Sequence, residues 1–566
     1  MSAGSSRSVL RSRATRDQLV RVPMLLQDRQ YLIDDAAGGV DFVVPGFLFE
    51  VADGHVHDGP ASDRVTVVDL DEDGRRTRPP ARLLPPKGAR RIRSFEFDEE
   101  LLDPDRRDAL RFEDDTFVQL HVFAGVHATL AFFEHLLGRR IDWAFGAEQL
   151  TLLPWAGTGR DAYYERASRS IKFFEYETVE GRRILTALSR DIVAHEAAHA
   201  VLDAVAPDLH DAADPDSLTV HEAIGDLSAL LQTLVDENML FSAYALFGGE
   251  VDGLEALGRL AEEFGTDVRR GDGAGALRSA STHATFRTGK EAAVDRTDPH
   301  DASSVVVGAL FSSLRERVAA STRDFERATL TAARELARIV IPALSRLPPG
   351  EVSLWDFARA LDSAAQETAS GPAWMTAIDQ QLVDRGVADD PASLRAPTPS
   401  PEPLTGWPGA LDEVVEANRD RLAVPDDASP VATSVEFSDR CWTKTPRRRV
   451  QLRVAWDVDD IHDVGYGLSE SWSFRVGTTA VVDADTGAPI SILTGSATEG
   501  ESWARRHAQL LRWAATGLLL AKAHPSNALL AIAGDRRQRV AGTARTLHLL
   551  RPVAPEDDEQ KGAPDE

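Results

Sequence analysis

Two hydrophobic periods share the chain. From about residue 110 to 390 the pattern is mostly helical, as over residues 227–234, 254–264, 305–318, 327–344 and 355–365, the last following Pro348-Pro349-Gly350. Further on, the period falls to two. Val450, Leu452, Val454, Trp456 and Val458 alternate with mostly polar neighbours, which predicts a half-buried strand. Residues 471–482 and 490–494 flank Asp485-Thr486-Gly487, a hairpin signal, and a long helix rich in Leu, Ala and Trp is predicted over about 501–523. Ahead of the helical region, short β-like runs at 42–44, 47–51 and 65–68 are separated by turn residues, and residues 1–25 read as a mobile tail. Pro79-Pro80 and Pro85-Pro86 mark a linker near 79–92, and APTPSPEP at 396–403 marks a stiff, extended one.

One helical run carries candidate chemistry. Residues 193–205 read VAHEAAHAVLDAV. His195 and His199 are four positions apart, so on a helix both imidazoles share a face and can reach one metal ion. Glu196 can then reach a water on that ion. Chance supplies about 0.025 such patterns in a chain of this length and composition. Ile192, Val193, Ala194, Ala197, Ala198, Ala200, Val201 and Leu202 make the run apolar on most sides, which predicts burial. Two unpaired imidazoles and a carboxylate are costly to desolvate there unless a cation offsets the cost. Catalytic zinc takes three protein ligands and keeps one position open. Glu222, in VHEAIGDL at 220–227, is the candidate third ligand. Asp226, four residues on, shares its face and can accept a ring N–H from His195 or His199. His221 is a rival ligand, but it points off that face and reads as a solvent-side or capping residue.

Together, VAHEAAHAVLDAV and HEAIGDLSALL resemble the two zinc-binding helices of the thermolysin-like metallopeptidases, the gluzincins. The resemblance spans residues 114–390 in order and rough spacing. Residues 114–133 are similar to the family's helix before the active site. Asp161-Ala162-Tyr163-Tyr164, followed by 171–176, resembles its substrate-binding edge strand. Residues 276–279 match the segment with its substrate-contacting arginine, here Arg278. Residues 295–311 resemble the helix start with its transition-state histidine, here His300, and Asp295 stands where the family places an orienting carboxylate.

This resemblance implies an α+β fold: a thermolysin-like two-lobed core, with a β-containing N-lobe and a helical C-lobe, an extra N-terminal β segment and a C-terminal α+β accessory domain. The expected divisions are 1–92 (tail and small β domain or leader), 93–221 (N-lobe with the zinc helix), 222–395 (helical C-lobe), 396–403 (linker), 404–554 (accessory domain) and 555–566 (acidic tail). It implies one zinc ion per chain on His195, His199 and Glu222. Glu196 and His300 are implied as catalytic, Asp226 and Asp295 as supporting carboxylates, and Arg278, Ala162 and Tyr163 as substrate contacts. Departures are visible. The connection from His199 to Glu222 is longer and has no Tyr. Asp161 replaces an Asn, and an ionised Asp cannot donate a hydrogen bond. Thr233 replaces a calcium-binding Glu, which leaves calcium doubtful.

The expected activity is that of a zinc metalloendopeptidase. Zinc lowers the pKa of bound water to about 7, Glu196 takes the water proton and passes it to the leaving amine, and His300 and Arg278 stabilise the charge on the attacked carbonyl oxygen. The strand with Ala162 and Tyr163 would bind peptide by strand addition. A second reading stays open: a zinc-binding scaffold of peptidase fold, weakly active or inactive, that binds peptides or partner proteins.

Composition narrows the partners. A length of 566 residues exceeds one compact core. The net charge of −27, spread without a long acidic block, argues against nucleic acid or an anionic membrane as partner. The expected partner is a peptide or protein substrate, with the C-terminal domain a candidate for an unidentified protein contact. Cys441 is the only cysteine, which excludes an intrachain disulfide. The first residues lack an apolar signal-peptide core, and no run of about 18 uncharged apolar residues occurs. The expectation is therefore no membrane span and a cytoplasmic location, with export by a non-standard route left open.

Overall fold

The computed structural model describes residues 19–25, 46–52, 56–70, 77–86, 92–102, 112–146, 149–178, 181–210, 212–237, 240, 254–255, 257–261, 278–290, 292–438, 446–463, 469–496, 500–515, 536–540 and 545–549. They build a mixed α and β protein. The β-like run at 42–44, the acidic tail and Cys441 lie outside the described residues, as do 516–523 of the long helix expected near the C-terminus.

Helix α1 (Asp115–Leu137) runs through the main hydrophobic core. It starts where Asp114 accepts a hydrogen bond from Phe117 N at 2.9 Å, and stops at Gly138, whose φ of 68° suits a residue without Cβ. Length and composition alone would let α1 cross a membrane, which the sequence reading had not anticipated, but nearly all of that stretch is buried inside the protein. Helices α2 (Arg190–Val205) and α3 (Pro215–Leu234) pack beside it. The approach of α2 depends on Gly125, because a Cβ there would lie 2.6 Å from Val193 Cγ1. Downstream come α4 (Pro299–Ala319), α5 (Phe325–Ala343), α6 (Leu354–Ala365) and α7 (Gly371–Asp384). Helix α6 begins on a reciprocal cap between Ser353 and Asp356.

The strands β3 (Val65–Val67), β5 (Leu150–Leu153), β6 (Ala162–Glu165) and β7 (Ser170–Phe173) form one sheet in the order β3-β5-β7-β6. Pairing is parallel for the first two contacts and antiparallel for the last, which leaves β6 on the edge, and the hairpin β8 (Glu175–Glu177) and β9 (Arg183–Leu185) follows. The β-like run at 65–68 thus joins the sheet that carries the edge strand. Residues 19–25, expected as part of a mobile tail, instead form β1 (Leu19–Leu25), paired with β2 (Gly46–Ala52) and with β4 (Arg93–Ser94). Val20, Val22 and Met24 alternate along it and enter the same core as α1, and Leu25 N donates to His121 Nδ1 at 3.1 Å. That period of two was readable but short. The helix expected over 254–264 is also corrected. Residues 259–260 form β10 (Arg259–Leu260), paired with β11 (Arg278–Ser279), and Ala261 at φ 50° is incompatible with a continuing helix.

After the Pro-rich linker and the short helix α8 (Leu411–Glu416), four strands form an antiparallel meander: β12 (Val431–Ser438), β13 (Arg448–Asp463), β14 (Ser469–Asp483) and β15 (Pro489–Thr494). Its turn places Gly487 at φ 71°, as the Asp-Thr-Gly signal requires. Alternate residues Leu452, Val454 and Trp456 pack with Val476, Ala480 and Val482 into a second core. Helix α9 (Gly500–Ala515) follows. This part is tied to the helices: Ser438 N donates to Gly138 O at 3.1 Å, Thr479 Oγ1 to Leu347 O at 2.8 Å, and Ser496 Oγ to Asp356 at 2.8 Å.

Candidate metal centre

Ser189 caps the start of α2 and sets its phase, and one turn in, His195 and His199 lie on the same face. Their Nε2 atoms face each other at 2.9 Å. Asp214 caps α3, Pro215 opens it, and Glu222 projects from its second turn toward the same point. Glu222 Oε2 is 3.5 Å from His195 Nε2, and Oε1 is 3.7 Å from His199 Nε2. The helices can come this close because residue 225 is glycine. A Cβ at Gly225 would lie 2.6 Å from Cε1 and 2.7 Å from Nδ1 of His195. His195, Glu196 and His199, and separately His199, His221 and Glu222, are grouped closely enough to hold a cation.

The shell around these three residues sets their charge. His195 Nδ1 is 3.0 Å from Asp226 Oδ1. A proton held there leaves Nε2 as a lone-pair donor facing Glu222 and His199. Arg278, from β11, donates from Nη1 to the same Asp226 oxygen at 2.6 Å, and its Nη2 is 3.9 Å from Glu222 Oε2. The arginine expected at substrate is therefore anchored on the carboxylate that orients His195. Burial alone would lower the His195 pKa, but Asp226 and Glu222 outweigh it and push it up to about 10. Glu222 goes the other way. Burial would raise it, yet the imidazoles of His300, His199 and His195 hold it well below the usual carboxylate range. Asp226 is likewise held down, against its burial, by Arg278 and His195. This inner group has a strong preference for being charged, and a cation satisfies it as a proton does.

Glu196 differs. Burial, with help from Glu222 and Asp161, pushes it up to about 7 against the pull of His195. Its Oε2 accepts the backbone N–H of Tyr164 at 2.9 Å, so the edge strand β6 holds the carboxylate in place. Tyr164 pairs with Ile171 in register but turns its N–H off the sheet, and Ala162, two residues earlier, shares that outward direction. Tyr163 faces the other way, stacks on Phe174 with ring centres 5.7 Å apart, and lies under Lys172. The strand is pinned to α2 through Asp203, which accepts from Tyr164 OH at 2.6 Å and from Arg166 Nε at 2.7 Å.

His300 lies in the first turn of α4, its side chain 65% exposed, with Nε2 3.6 Å from Glu222 Oε2. It borders the centre from the solvent side. Asp295 shapes the preceding turn by accepting from Thr297 N and Oγ1, both at 2.8 Å, while Asp298 caps α4 through His300 N.

His221 requires a correction. Expected on the solvent side or at a cap, it is instead buried in α3 and stacks on His199, ring centres 4.1 Å apart and planes within 5°. It lies off the Glu222/Asp226 face as expected; that face simply is not where solvent begins. An imidazole lone pair lies in the ring plane, so a single ion cannot lie in both of two stacked planes. His221 therefore supports His199 without sharing its ion. His210, which the sequence reading passed over, extends this wall with edge contacts to His221 and Tyr164, each with ring centres 5.9 Å apart. Three histidines within 199–221 were the available signal. Thr233, at the position where the resemblance puts a calcium carboxylate, is hydrogen-bonded to Arg190, a buried guanidinium beside the carboxylates of Asp191 and Asp236. A fixed positive charge thus occupies that neighbourhood. No family model matches the chain, and no curated protein matches it.

Proposed function

We propose that this chain is a zinc-dependent metalloendopeptidase of thermolysin-like, two-lobed architecture. The observation that carries the reading is the approach of His195, His199 and Glu222 to one another from two helices, with Glu196 beside them and held against an edge strand. Zinc fits the donor set. With bonds of about 2.0–2.1 Å, a tetrahedral shell has edges of about 3.3–3.4 Å. The two Nε2 atoms are 2.9 Å apart, and the Glu222 carboxylate turns Oε2 to His195 at 3.5 Å and Oε1 to His199 at 3.7 Å, separations on the scale of such a shell. Glu222 Oε2 is also buried and takes no hydrogen bond among the described residues, so a cation would satisfy it.

His195, His199 and Glu222 would hold the ion, which when bound supplies Lewis-acid polarisation of a carbonyl and an acidified water. Glu196, with one oxygen occupied by Tyr164 N–H, takes a proton on the other and delivers it to the departing amine. Its raised pKa suits both halves of that task. His300, exposed at the rim, donates to the charge that builds on the carbonyl oxygen. The outward backbone groups of Ala162 on β6 pair with an extended peptide. Arg278 acts through Asp226 and Glu222, balancing two buried carboxylates.

Digestion of casein, or of an internally quenched peptide, tests the reading. Glu196→Gln should lower hydrolysis by about 100-fold or more and leave zinc content equal to that of the parent. A zinc-loaded parent that cleaves nothing would favour the scaffold reading. A Glu196→Gln protein as active as the parent would overturn the role of Glu196.

A further inference from the structure

The connection between the two metal helices, described at 206–210 and 212–214, lies between His199 and Glu222. The part of the chain beyond the Pro-rich linker grips both ends of that connection. At the exit of α2, Arg453 of β13 donates to Val205 O at 3.2 Å and to Asp208 Oδ2 at 3.1 Å. At the start of α3, Arg505 of α9 donates from Nε and Nη2 to the two oxygens of Asp214, each at 3.2 Å, and lies 3.2 Å from Asp216 Oδ2. Next to it Arg506, fully buried against the ring of Phe474, donates to Glu351 Oε2 at 2.7 Å. Glu351 in turn accepts the backbone N–H groups of Ala213 and Asp214 at 2.7 and 3.1 Å. Asp216 also accepts from Nε and Nη2 of Arg296, each at 2.8 Å, four residues ahead of His300.

Three buried carboxylates, Asp214, Asp216 and Glu351, are thus neutralised by Arg296, Arg505 and Arg506. Two of these arginines come from α9. Buried ion clusters of this kind rigidify and specify geometry, and removing one partner leaves an uncompensated charge. Glu222 lies six residues beyond Asp216, on the same helix.

We propose that Arg453 and Arg505 are positioning residues of the metal centre. The C-terminal sheet and helix brace the connection between α2 and α3, so the third ligand reaches the ion only when that brace is in place. The inference rests on the metal-site reading above and deepens it, because the segment from residue 404 onward becomes part of the hydrolytic unit.

The test uses the full chain with Arg505→Met, Arg453→Met and the double variant, Arg505→Lys as rescue, and Arg346→Met as a control. Arg346 is a more deeply buried arginine paired with Glu367, so its loss is at least as disruptive to packing, and it makes no contact with Asp208, Asp214 or Asp216 among the described residues. Zinc affinity by chelator competition should fall 10-fold or more in the double variant, recover in part with Lys, and stay at the parent's value in the control despite its lower Tm. Double-variant affinity equal to the parent's, in protein that is folded, overturns the proposal. A second readout does not depend on the metal. Amide exchange over residues 215–226 of zinc-free protein should speed up 10-fold or more in the double variant relative to Arg346→Met, and equal exchange overturns the brace. A parent that binds no zinc while the exchange difference holds removes the peptidase reading alone.

Discussion

Gly225→Ala separates the metal centre from the fold more cleanly than removal of any ligand. In an ordinary helix interior this change stabilises by about 0.8–1.0 kcal/mol. Here the new Cβ lies 2.6, 2.7 and 3.0 Å from Cε1, Nδ1 and Nε2 of His195. Carbon atoms rest about 3.5 Å apart, so the ring must retreat by about 0.9 Å or the two helices must part. Overpacking of this kind costs about 1–3 kcal/mol, so the metal-free protein should lose about 0–2 kcal/mol after the helical gain. Metal–ligand distances tolerate only about ±0.2 Å. The retreat therefore takes His195 out of the shell and breaks its 3.0 Å contact with Asp226. The expected result is a zinc affinity at least 10- to 100-fold lower, with Tm of the metal-free protein changed by a few degrees. Chelator competition and thermal unfolding measure the two quantities on one preparation. Parent-like zinc affinity with parent-like Tm would show that His195 is not held against α3 as described.

Asp226→Asn keeps the size of the side chain but removes the charge that holds the His195 proton. It should cost about 10- to 100-fold in zinc affinity, read by the same competition, and unchanged affinity would remove Asp226 from the centre. Where Arg190 supplies the positive charge beside Thr233, excess calcium and a calcium-selective chelator should give the same Tm. Arg190→Met should instead destabilise by about 1–3 kcal/mol, because it removes the guanidinium that bonds buried Thr233 beside Asp191 and Asp236, and a calcium-dependent Tm in the parent would refute this. Burial, helped by Arg190 and Arg64 respectively, depresses His121 and His127 from 6.5 to about 3, so both are neutral in the folded chain. The unfolded chain binds their protons first, and the stability they contribute is present above pH 6.5 and lost as pH falls toward 3. The loss is about 2 kcal/mol for each by pH 5. His121→Asn with His127→Gln should flatten Tm against pH between 5 and 7, and an unaltered slope would refute the assignment.

Local spacing alone determined a good deal. Residues four apart on a helix share a face whatever surrounds them, so His195 with His199, and Glu222 with Asp226, were legible before any fold was known. So were the period-two strand at 450–458 and the Asp-Thr-Gly turn, because each depends only on near neighbours. Helices α2 and α3 form over the apolar runs that carry those pairs, with Ser189 and Asp214 as their caps.

Tertiary structure decided which atoms meet. His221 and Glu222 are adjacent in sequence, yet one packs under His199 and the other faces the Nε2 atoms of His195 and His199. That difference depends on how closely α2 and α3 approach, which Gly225 permits and no single-helix pattern records. The pairing of Tyr164 N–H with Glu196, of Arg278 with Asp226, and of Arg505 with Asp214 brings together residues 32, 52 and 291 positions apart. Such pairings form because buried charges and backbone groups must find partners once water is excluded, and which partner is in reach is a property of the packed chain, not of any stretch within it.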